Sequence, residues 1–113
     1  MEDRTHSFAS YFKRCTSSLV VLSLLREKPM YTYELSQELL RRSQGGYTIA
    51  ILYPIMYRLE EQGYIEISQT LVIDGRTRSY YRVTDEGESY LKHTMAEFEE
   101  LLRVFRLLTS PEA

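Results

Sequence analysis

The sequence predicts a mainly helical fold with one small β-hairpin, and three observations predict it. Two segments, near the start and near the end of the 113 residues, carry apolar residues spaced 4, 3, 4 and 3 apart, as on one face of a helix. Asp74-Gly75 is a frequent hairpin turn and separates two segments in which apolar and polar residues alternate. The length and the 43% hydrophobic content supply one core and favour a single domain.

The N-terminal helix is predicted over residues 7–27. Pro29 ends it, because the residue before a proline disfavours the helical conformation. A buried thiol is ordinary on an apolar helix face, so we expect Cys15 to be buried rather than reactive. The apolar face consists of Phe8, Phe12, Cys15, Leu19 and Leu22.

A second and a third helix follow. Thr32 can cap the second helix, which continues to about Arg42. After a break at residues 44–46, Thr48 can cap the third helix, which runs to residue 62 and stops at Gly63. The second helix is expected to bury Leu35, Leu39 and Leu40. At about 100° per residue, the core face of the third helix is Leu52, Ile55, Met56 and Leu59.

Two strands and a last helix complete the chain. The strands are predicted over residues 64–73 and 79–84. Asp85 and Glu88 have the spacing of a capping box and open a last helix that ends near Leu108. At 1.5 Å per residue this helix is roughly 36 Å long, more than a domain of this size can easily cover. Its apolar face consists of Leu91, Met95, Phe98, Leu102 and Phe105, widened by Leu101, Val104 and Leu108.

The order of these elements indicates a winged helix-turn-helix, an α+β fold. Three helices followed by a hairpin form such a unit, and the N-terminal helix belongs to it, so we assign residues 1–84 to this domain. Residues 85–113 are the long C-terminal helix, and the two parts form one compact unit.

Several functional classes are disfavoured. His6 and His93 lie near opposite ends of the sequence with no neighbouring ligand pattern, and Gly45-Gly46 is not a phosphate-binding loop. We therefore expect no enzyme, no metal and no cofactor. The longest apolar stretch, residues 19–25, is far shorter than the roughly 20 residues of a membrane span, so we expect a cytoplasmic protein with no membrane partner.

The charge is informative by segment. The whole chain has a net charge of −2, but residues 41–84 hold six basic and four acidic side chains. All six basic residues are arginines, whose planar guanidinium suits phosphates and base edges. Solvated surface charge is the competing interpretation. The six are Arg41, Arg42, Arg58, Arg76, Arg78 and Arg82.

The outward face of the third helix points to nucleic acid. Small residues allow close approach of the backbone, and tyrosine hydroxyls and a capped helix N-terminus are good phosphate ligands. The tyrosines could instead cover a neighbouring element. Two arginines lie at the hairpin tip, residues 74–78, where they either solubilise the chain or reach phosphates and the minor groove. The candidate DNA-binding residues are Thr48, Ala50, Tyr53, Pro54, Tyr57, Arg58, Arg76 and Arg78.

Residues 29–91 resemble the PadR family of bacterial transcriptional regulators, and in particular its short subfamily. The matching segments lie on the second helix, on and after the third helix, and along the hairpin. They are Tyr33-Glu34-Leu35, Leu52-Tyr53-Pro54, residues 58–65 and residues 75–87.

The resemblance implies a homodimer that binds a dyad-symmetric double-stranded DNA operator, with the third helices in successive major grooves. In this family the C-terminal helix dimerises by packing with the first helix of its own and of the partner chain. Members typically repress transcription until a small aromatic or lipophilic effector binds. The residues expected at the dimer interface are Phe8, Phe12, Cys15, Leu91, Met95, Phe98, Leu102 and Phe105.

Three departures from the family pattern bear on these expectations. Thr32 stands where the family usually has glycine, and Thr77 replaces a proline of the hairpin tip. The chain also lacks tryptophan, which some short members use on the last helix to stack planar drugs. Core or interface packing is the competing interpretation of any aromatic cluster here. A candidate effector pocket consists of Phe8, Tyr11, Phe12 and Phe98.

The alternative function is a winged-helix module that binds another protein and no DNA. The net charge of −2 favours this alternative weakly, and the arginines at the hairpin tip oppose it.

Overall fold

The computed structural model describes residues 7–47 and 52–112. The elements follow the order helix, helix, helix, strand, strand, helix, which confirms the predicted winged helix-turn-helix with a long C-terminal helix. Their bounds are α1 (Phe8–Glu27), α2 (Thr32–Ser43), α3 (Leu52–Glu61), β1 (Ile65–Ile73), β2 (Arg76–Val83) and α4 (Asp85–Thr109).

The core forms where α1, α2, α3, the hairpin and the start of α4 meet. The second half of α1 supplies Leu22 and Leu25, which are almost fully buried, whereas its first two turns project beyond the core. The core face predicted for α3 is confirmed, because all four of its residues are buried. The largest fully buried side chains are Leu22, Met30, Leu35, Leu52, Leu59, Ile65, Leu91 and Val21.

The prediction that Leu40 is buried is wrong, and Cys15 is not buried within a single protomer. Leu40 is 42% exposed, because the buried face of α2 passes through Leu35, Ser36 and Leu39, and Leu40 lies one residue beyond it. Cys15 is exposed in the protomer, because it lies in the part of α1 that precedes the core. Its thiol donates to the Phe12 carbonyl oxygen at 3.4 Å.

The helix caps differ from prediction by one residue. The cap of α2 is Tyr31, without a capping side-chain bond, and Thr32 is the first helical residue. The cap of α4 is Thr84, whose hydroxyl accepts from the Gly87 amide at 3.0 Å, rather than Asp85. Thr84 therefore satisfies one of the free amide groups that every helix start leaves. The predicted cap at Thr48 lies outside the described residues.

The hairpin is longer than the sequence predicts. The second strand begins at Arg76, directly after the turn, and Ile73 pairs with Arg76. Asp74 and Gly75 have φ values of 52° and 75°, the left-handed conformation that a two-residue hairpin turn requires. A register shift between Ile67 and Gln69 marks a bulge near the middle.

A third extended segment joins the hairpin at its core end. Met30 pairs with Tyr81, and each residue donates its amide to the carbonyl of the other, at 3.2 and 2.9 Å. This pairing fixes the start of α2 against the hairpin. Within residues 7–47 and 52–112, no helix combines the length and apolar character needed to cross a membrane.

Candidate nucleic-acid interface

The outward face of α3 is exposed as the sequence predicts. Tyr53 and Tyr57 are 67% and 70% exposed, and Pro54 and Arg58 are exposed beside them. These exposures exclude the interpretation that the tyrosines cover a neighbouring element of their own protomer. The predicted contacts Thr48 and Ala50 lie outside the described residues.

The two arginines of the hairpin tip have different surroundings. Arg76 is exposed, whereas Arg78 is only partly exposed and lies over the ring of Tyr31, 5.1 Å from its centroid. Tyr31 in turn meets Tyr80 edge to face at 5.2 Å. The Nε of Arg78 is buried and has no hydrogen-bond partner among the described residues. We call the tip, residues 74–78, the wing.

The six arginines of the central segment divide into two groups. Arg41 and Arg42 both contact Glu38 at 2.8 Å, and Arg82 contacts Glu66 at 2.7 Å across the hairpin. In the described parts of the chain, the others have no carboxylate partner. Those are Arg58, Arg76 and Arg78. The arginines free to neutralise phosphates are thus on the outward face of α3 and on the wing.

Arg42 also joins two helices. Its guanidinium donates to both Glu27 carboxylate oxygens, at 2.7 and 2.8 Å, and ties the end of α1 to α2. These hydrogen bonds lower the pKa of the Glu27 carboxyl, and those from Arg41 and Arg42 lower the pKa of the Glu38 carboxyl. The same bonds raise the pKa of Arg42. This group of charges supports the fold and is engaged within the protomer.

The residues of the apolar face predicted for α4 are buried to different degrees along the helix. Leu91 is 1% exposed and belongs to the core of its own protomer, so its side chain is unavailable to a second chain. Phe98 is partly buried against Phe12, with ring centroids 6.2 Å apart, and Leu102 is also partly buried. Met95 is exposed, and Phe105 is 58% exposed.

The other residues predicted at an interface lie at the surface near the start of α1. Phe8, Phe12 and Cys15 are all exposed, and the rings of Phe8 and Phe12 are 6.1 Å apart. On α4, four exposed apolar residues one turn apart form what we call the α4 stripe. They are Leu101, Val104, Phe105 and Leu108.

A cavity of about 370 Å³ lies between α1 and α4. Phe12 and Phe98, two of the four residues of the candidate effector pocket, line it together with Met95 and Tyr47. Phe8 lines a neighbouring cavity instead, and Tyr11 lines neither of the two. The first cavity is mainly apolar, with the Glu27–Arg42 ion pair in its wall.

Sequence reasoning missed two residues that shape these sites. Tyr31 supports a wing arginine, but its contact depends on the pairing of Met30 with Tyr81, about fifty positions away in the chain. Tyr47 stands in the wall of both cavities, and its hydroxyl lies 2.7 Å from the Thr16 hydroxyl. In the sequence, the aromatic character of Tyr31 and Tyr47 is the only sign that either residue could contribute to a site. No cluster of metal ligands occurs in the part of the chain that the structure describes.

Comparison with known proteins agrees with this architecture. The model of the transcriptional regulator PadR-like family matches residues 21–93, more than half of the chain. A transcriptional regulator of Mycobacterium tuberculosis is 35% identical over 94 residues, which cover 81% of this chain and 84% of that protein.

Two solved structures are similar to this chain in both fold and sequence. A PadR family transcriptional regulator from Eggerthella lenta has a TM-score of 0.76 and 35% identity, with 89% of this chain and 88% of that chain covered. A transcriptional regulator from Clostridium thermocellum has a TM-score of 0.79 and 32% identity, with 89% and 100% covered. The chain therefore belongs to the PadR-like family of transcriptional regulators.

Proposed function

We propose that the chain is a homodimeric transcriptional repressor that binds a dyad-symmetric DNA operator through α3 and the wing. The observation that carries this proposal is the distribution of free arginines. Among the described residues, the central arginines without a carboxylate partner are those on the exposed faces of α3 and the wing. Two exposed tyrosines on α3 add hydroxyl groups that bind phosphate.

In this proposal α3 enters the major groove. Tyr53, Tyr57 and Arg58 contact phosphates, the compact side chain of Pro54 allows the helix to approach the DNA closely, and Ala50 is a further proposed contact. Thr48 contributes its hydroxyl as a further contact. This face carries few of the side chains that read base edges in pairs of hydrogen bonds, so DNA shape and half-site spacing supply much of the specificity.

The wing arginines contact the DNA beside the major groove. Arg76 and Arg78 reach the flanking backbone or a narrow minor groove, where the negative potential favours arginine. Each phosphate contact releases counterions, so the affinity falls steeply with salt.

The exposed apolar residues support a dimer. The α4 stripe and the start of α1 would be covered by a second copy of the chain, with Phe8, Phe12, Cys15, Met95, Phe98, Leu102 and Phe105 near the contact. Large exposed apolar patches of this kind mark interaction sites. Two protomers would place their α3 helices about 34 Å apart, one turn of DNA.

The cavity between α1 and α4 supports an effector that relieves repression. Its volume, about 370 Å³, lies within the usual range for small-molecule sites. The charges of Glu27 and Arg42 neutralise each other, so the cavity favours an uncharged aromatic or lipophilic compound. A repressor with this function works in the cytoplasm, where bacterial DNA is located.

The test compares two pairs of arginines in fluorescence anisotropy titrations of the protein's own upstream DNA. The Arg76→Ala/Arg78→Ala variant removes two free arginines, and we expect the affinity to fall at least about tenfold, because hydrogen bonds to charged groups contribute roughly 1.5–3 kcal/mol each. The Arg41→Ala/Arg82→Ala variant removes the same charge from ion-paired positions and serves as the matched control.

We expect the control variant to bind within about threefold of the wild type, because exposed ion pairs contribute little. Equal losses in both variants would show that net charge alone drives binding. Unchanged binding in the Arg76→Ala/Arg78→Ala variant would overturn the assigned wing contacts, and a wild type that binds no DNA would favour the protein-binding module.

A further inference from the structure

The backbone around the start of α2 places an aromatic residue beside the wing strand. Met30 pairs with Tyr81 through two backbone hydrogen bonds, so the next residue, Tyr31, lies opposite Tyr80. Side chains alternate along a strand, so Tyr80 and Arg78 point to the same face of β2. Tyr31 is therefore held beside both of these side chains by backbone geometry.

The side chains form a stack on that face. Tyr80 meets the Tyr31 ring edge to face at 5.2 Å, and the Arg78 guanidinium lies 5.1 Å from the centroid of the same ring. A guanidinium within about 6 Å of a tyrosine ring is attracted to its π-electrons. The buried Nε of Arg78, with no hydrogen-bond partner in the described residues, shows that this side of the guanidinium is covered.

The two arginines of the wing thus differ in freedom. Arg76 is exposed and follows the turn directly, and no ring contact holds it among the described residues. Arg78 is two residues closer to the core and is fixed over a ring that belongs to the cap of α2. A side chain that is already ordered loses less conformational freedom when it binds, which favours binding.

We infer that Tyr31 is a positioning residue for DNA binding, which acts by holding Arg78 against the helix-turn-helix unit so that the wing presents one fixed and one mobile arginine. The inference rests on the proposed function, because it assigns how one proposed DNA contact is oriented. Tyr31 itself need not touch DNA. Its role is to set the position of the Arg78 charge relative to α2 and therefore relative to α3.

A double-mutant cycle tests this role. The affinity for the protein's own upstream duplex is measured by fluorescence anisotropy for the wild type, Tyr31→Leu, Arg78→Ala and the combination of the two. We expect Tyr31→Leu to weaken binding about two- to tenfold, the size of a cation–π contact. In the Arg78→Ala background the same change should have no effect, whereas in an Arg76→Ala background it should keep its full effect.

Ring-retaining variants separate positioning from a general loss of stability. Tyr31→Phe and Tyr31→Trp keep an aromatic face over which Arg78 can lie, so we expect both to bind within about twofold of the wild type. The chain has no tryptophan, so the fluorescence of the introduced indole in the Tyr31→Trp variant also reports on the contact without DNA. Its emission should change when Arg78→Ala is added and stay constant when Arg76→Ala is added.

Two results would overturn the inference while leaving the proposed function in place. One is a wild type that binds DNA and a Tyr31→Leu variant that binds equally well. The other is losses from Tyr31→Leu and Arg78→Ala that multiply in the combined variant, since that shows independent action. A wild type that binds no duplex would overturn the proposed function itself, and this inference with it.

Discussion

Two exposed surfaces of the protomer differ in chemistry. One consists of the outward face of α3 together with the wing, and the other is the α4 stripe. The first surface carries tyrosine hydroxyls and arginines without carboxylate partners among the described residues. The α4 stripe carries leucine, valine and phenylalanine, and Leu108 at its end is 80% exposed. The first surface suits a polyanion and the second suits another apolar surface.

This contrast shows that exposure alone does not identify what a surface binds. An exposed arginine that already holds a carboxylate, such as Arg82, has its charge neutralised within the protomer. An exposed leucine such as Leu101 gains nothing from water and is stabilised only when another apolar group covers it. The partner is therefore inferred from which interactions each side chain still lacks.

Introducing charges into the α4 stripe should weaken dimerisation more than any other change considered below alters its own readout. Leu101→Glu with Phe105→Glu should raise the dissociation constant of the dimer at least about 1,000-fold, because burial of each large apolar side chain contributes roughly 1.5–3 kcal/mol and a dimer loses four. Sedimentation velocity measures this shift. DNA affinity should fall with it, because in the proposed dimer each protomer contacts one half-site.

The matched control adds the same two charges elsewhere on α4. Ser89→Glu with Ala96→Glu changes two exposed, uncharged residues on another side of the helix, and should leave the dimer intact. A wild type that sediments as a monomer at micromolar concentration, or a Leu101→Glu/Phe105→Glu variant that remains a dimer, would show that the stripe has another role.

The next effect concerns the contact between the start of α4 and the hairpin, which positions the α4 stripe relative to α3 and the wing. Gly87, in the first turn of α4, lies so close to the Tyr64 carbonyl and to Val83 that an added Cβ would overlap the carbonyl oxygen and lie 2.9 Å from Val83 Cγ1. Gly87→Ala should therefore lower the free energy of unfolding by about 1–3 kcal/mol. Urea denaturation at a fixed chain concentration measures the loss.

Whether Gly87→Ala lowers or raises the free energy of unfolding decides between two explanations. Helix propensity alone predicts that alanine stabilises a helix by roughly 1 kcal/mol relative to glycine, so a stabilised Gly87→Ala variant would show that α4 does not press on the hairpin here. Ser89→Ala, at an exposed position of the same helix, should change the stability by less than about 0.5 kcal/mol.

A smaller effect should follow from one hydroxyl on α3. Tyr57→Phe removes an exposed hydroxyl and should weaken DNA binding about two- to tenfold, the size of one hydrogen bond, without changing the stability. Tyr90→Phe makes the same chemical change on the partly buried ring stacked against Tyr64 and should leave the affinity unchanged. Equal affinities for all three proteins would remove Tyr57 from the interface.

The smallest effect concerns the arginines already engaged within the protomer. The pKa values of Glu27 and Glu38 are lowered by their hydrogen bonds to Arg42 and Arg41, so these bonds stabilise the fold above the usual glutamate pKa of about 4.3 and lose that effect as the pH falls through the lowered values. Arg42→Met should therefore be less stable than the wild type at pH 7, and the difference should shrink below about pH 4.

Thermal unfolding from pH 7 to pH 3 measures this difference. A gap between Arg42→Met and the wild type that stays constant across the range would show that Arg42 acts by packing rather than by its charge.

Local patterns in the sequence predict much of this structure. The order of the elements, the Asp74-Gly75 turn and the buried face of α3 all depend on residues within a few positions of one another. The two-residue turn needs left-handed backbone angles, which Asp and Gly tolerate. The exposed side of α3 follows directly from its buried side.

The features that local patterns do not predict depend on contacts between residues far apart in the chain. The spacing of Leu91 and Phe105 predicts that one face of α4 is covered, but only the fold shows that the core of the same protomer covers Leu91 while Phe105 is left exposed. Cys15 lies on a regular apolar face, yet it is exposed in the protomer, because the apolar core of α1 begins at Leu19. The Tyr31–Arg78 contact depends on residues 47 positions apart, which no local pattern relates.

The most direct measurement is a titration of the wild-type protein with its own upstream duplex at several salt concentrations, with an unrelated duplex of equal length as control. We expect two chains per duplex, tighter binding to the upstream DNA, and an affinity that falls steeply as salt rises, by a slope of about 0.9 for each phosphate contact. Binding with a near-flat salt dependence, or no binding to either duplex, would contradict recognition of DNA by the free arginines of α3 and the wing.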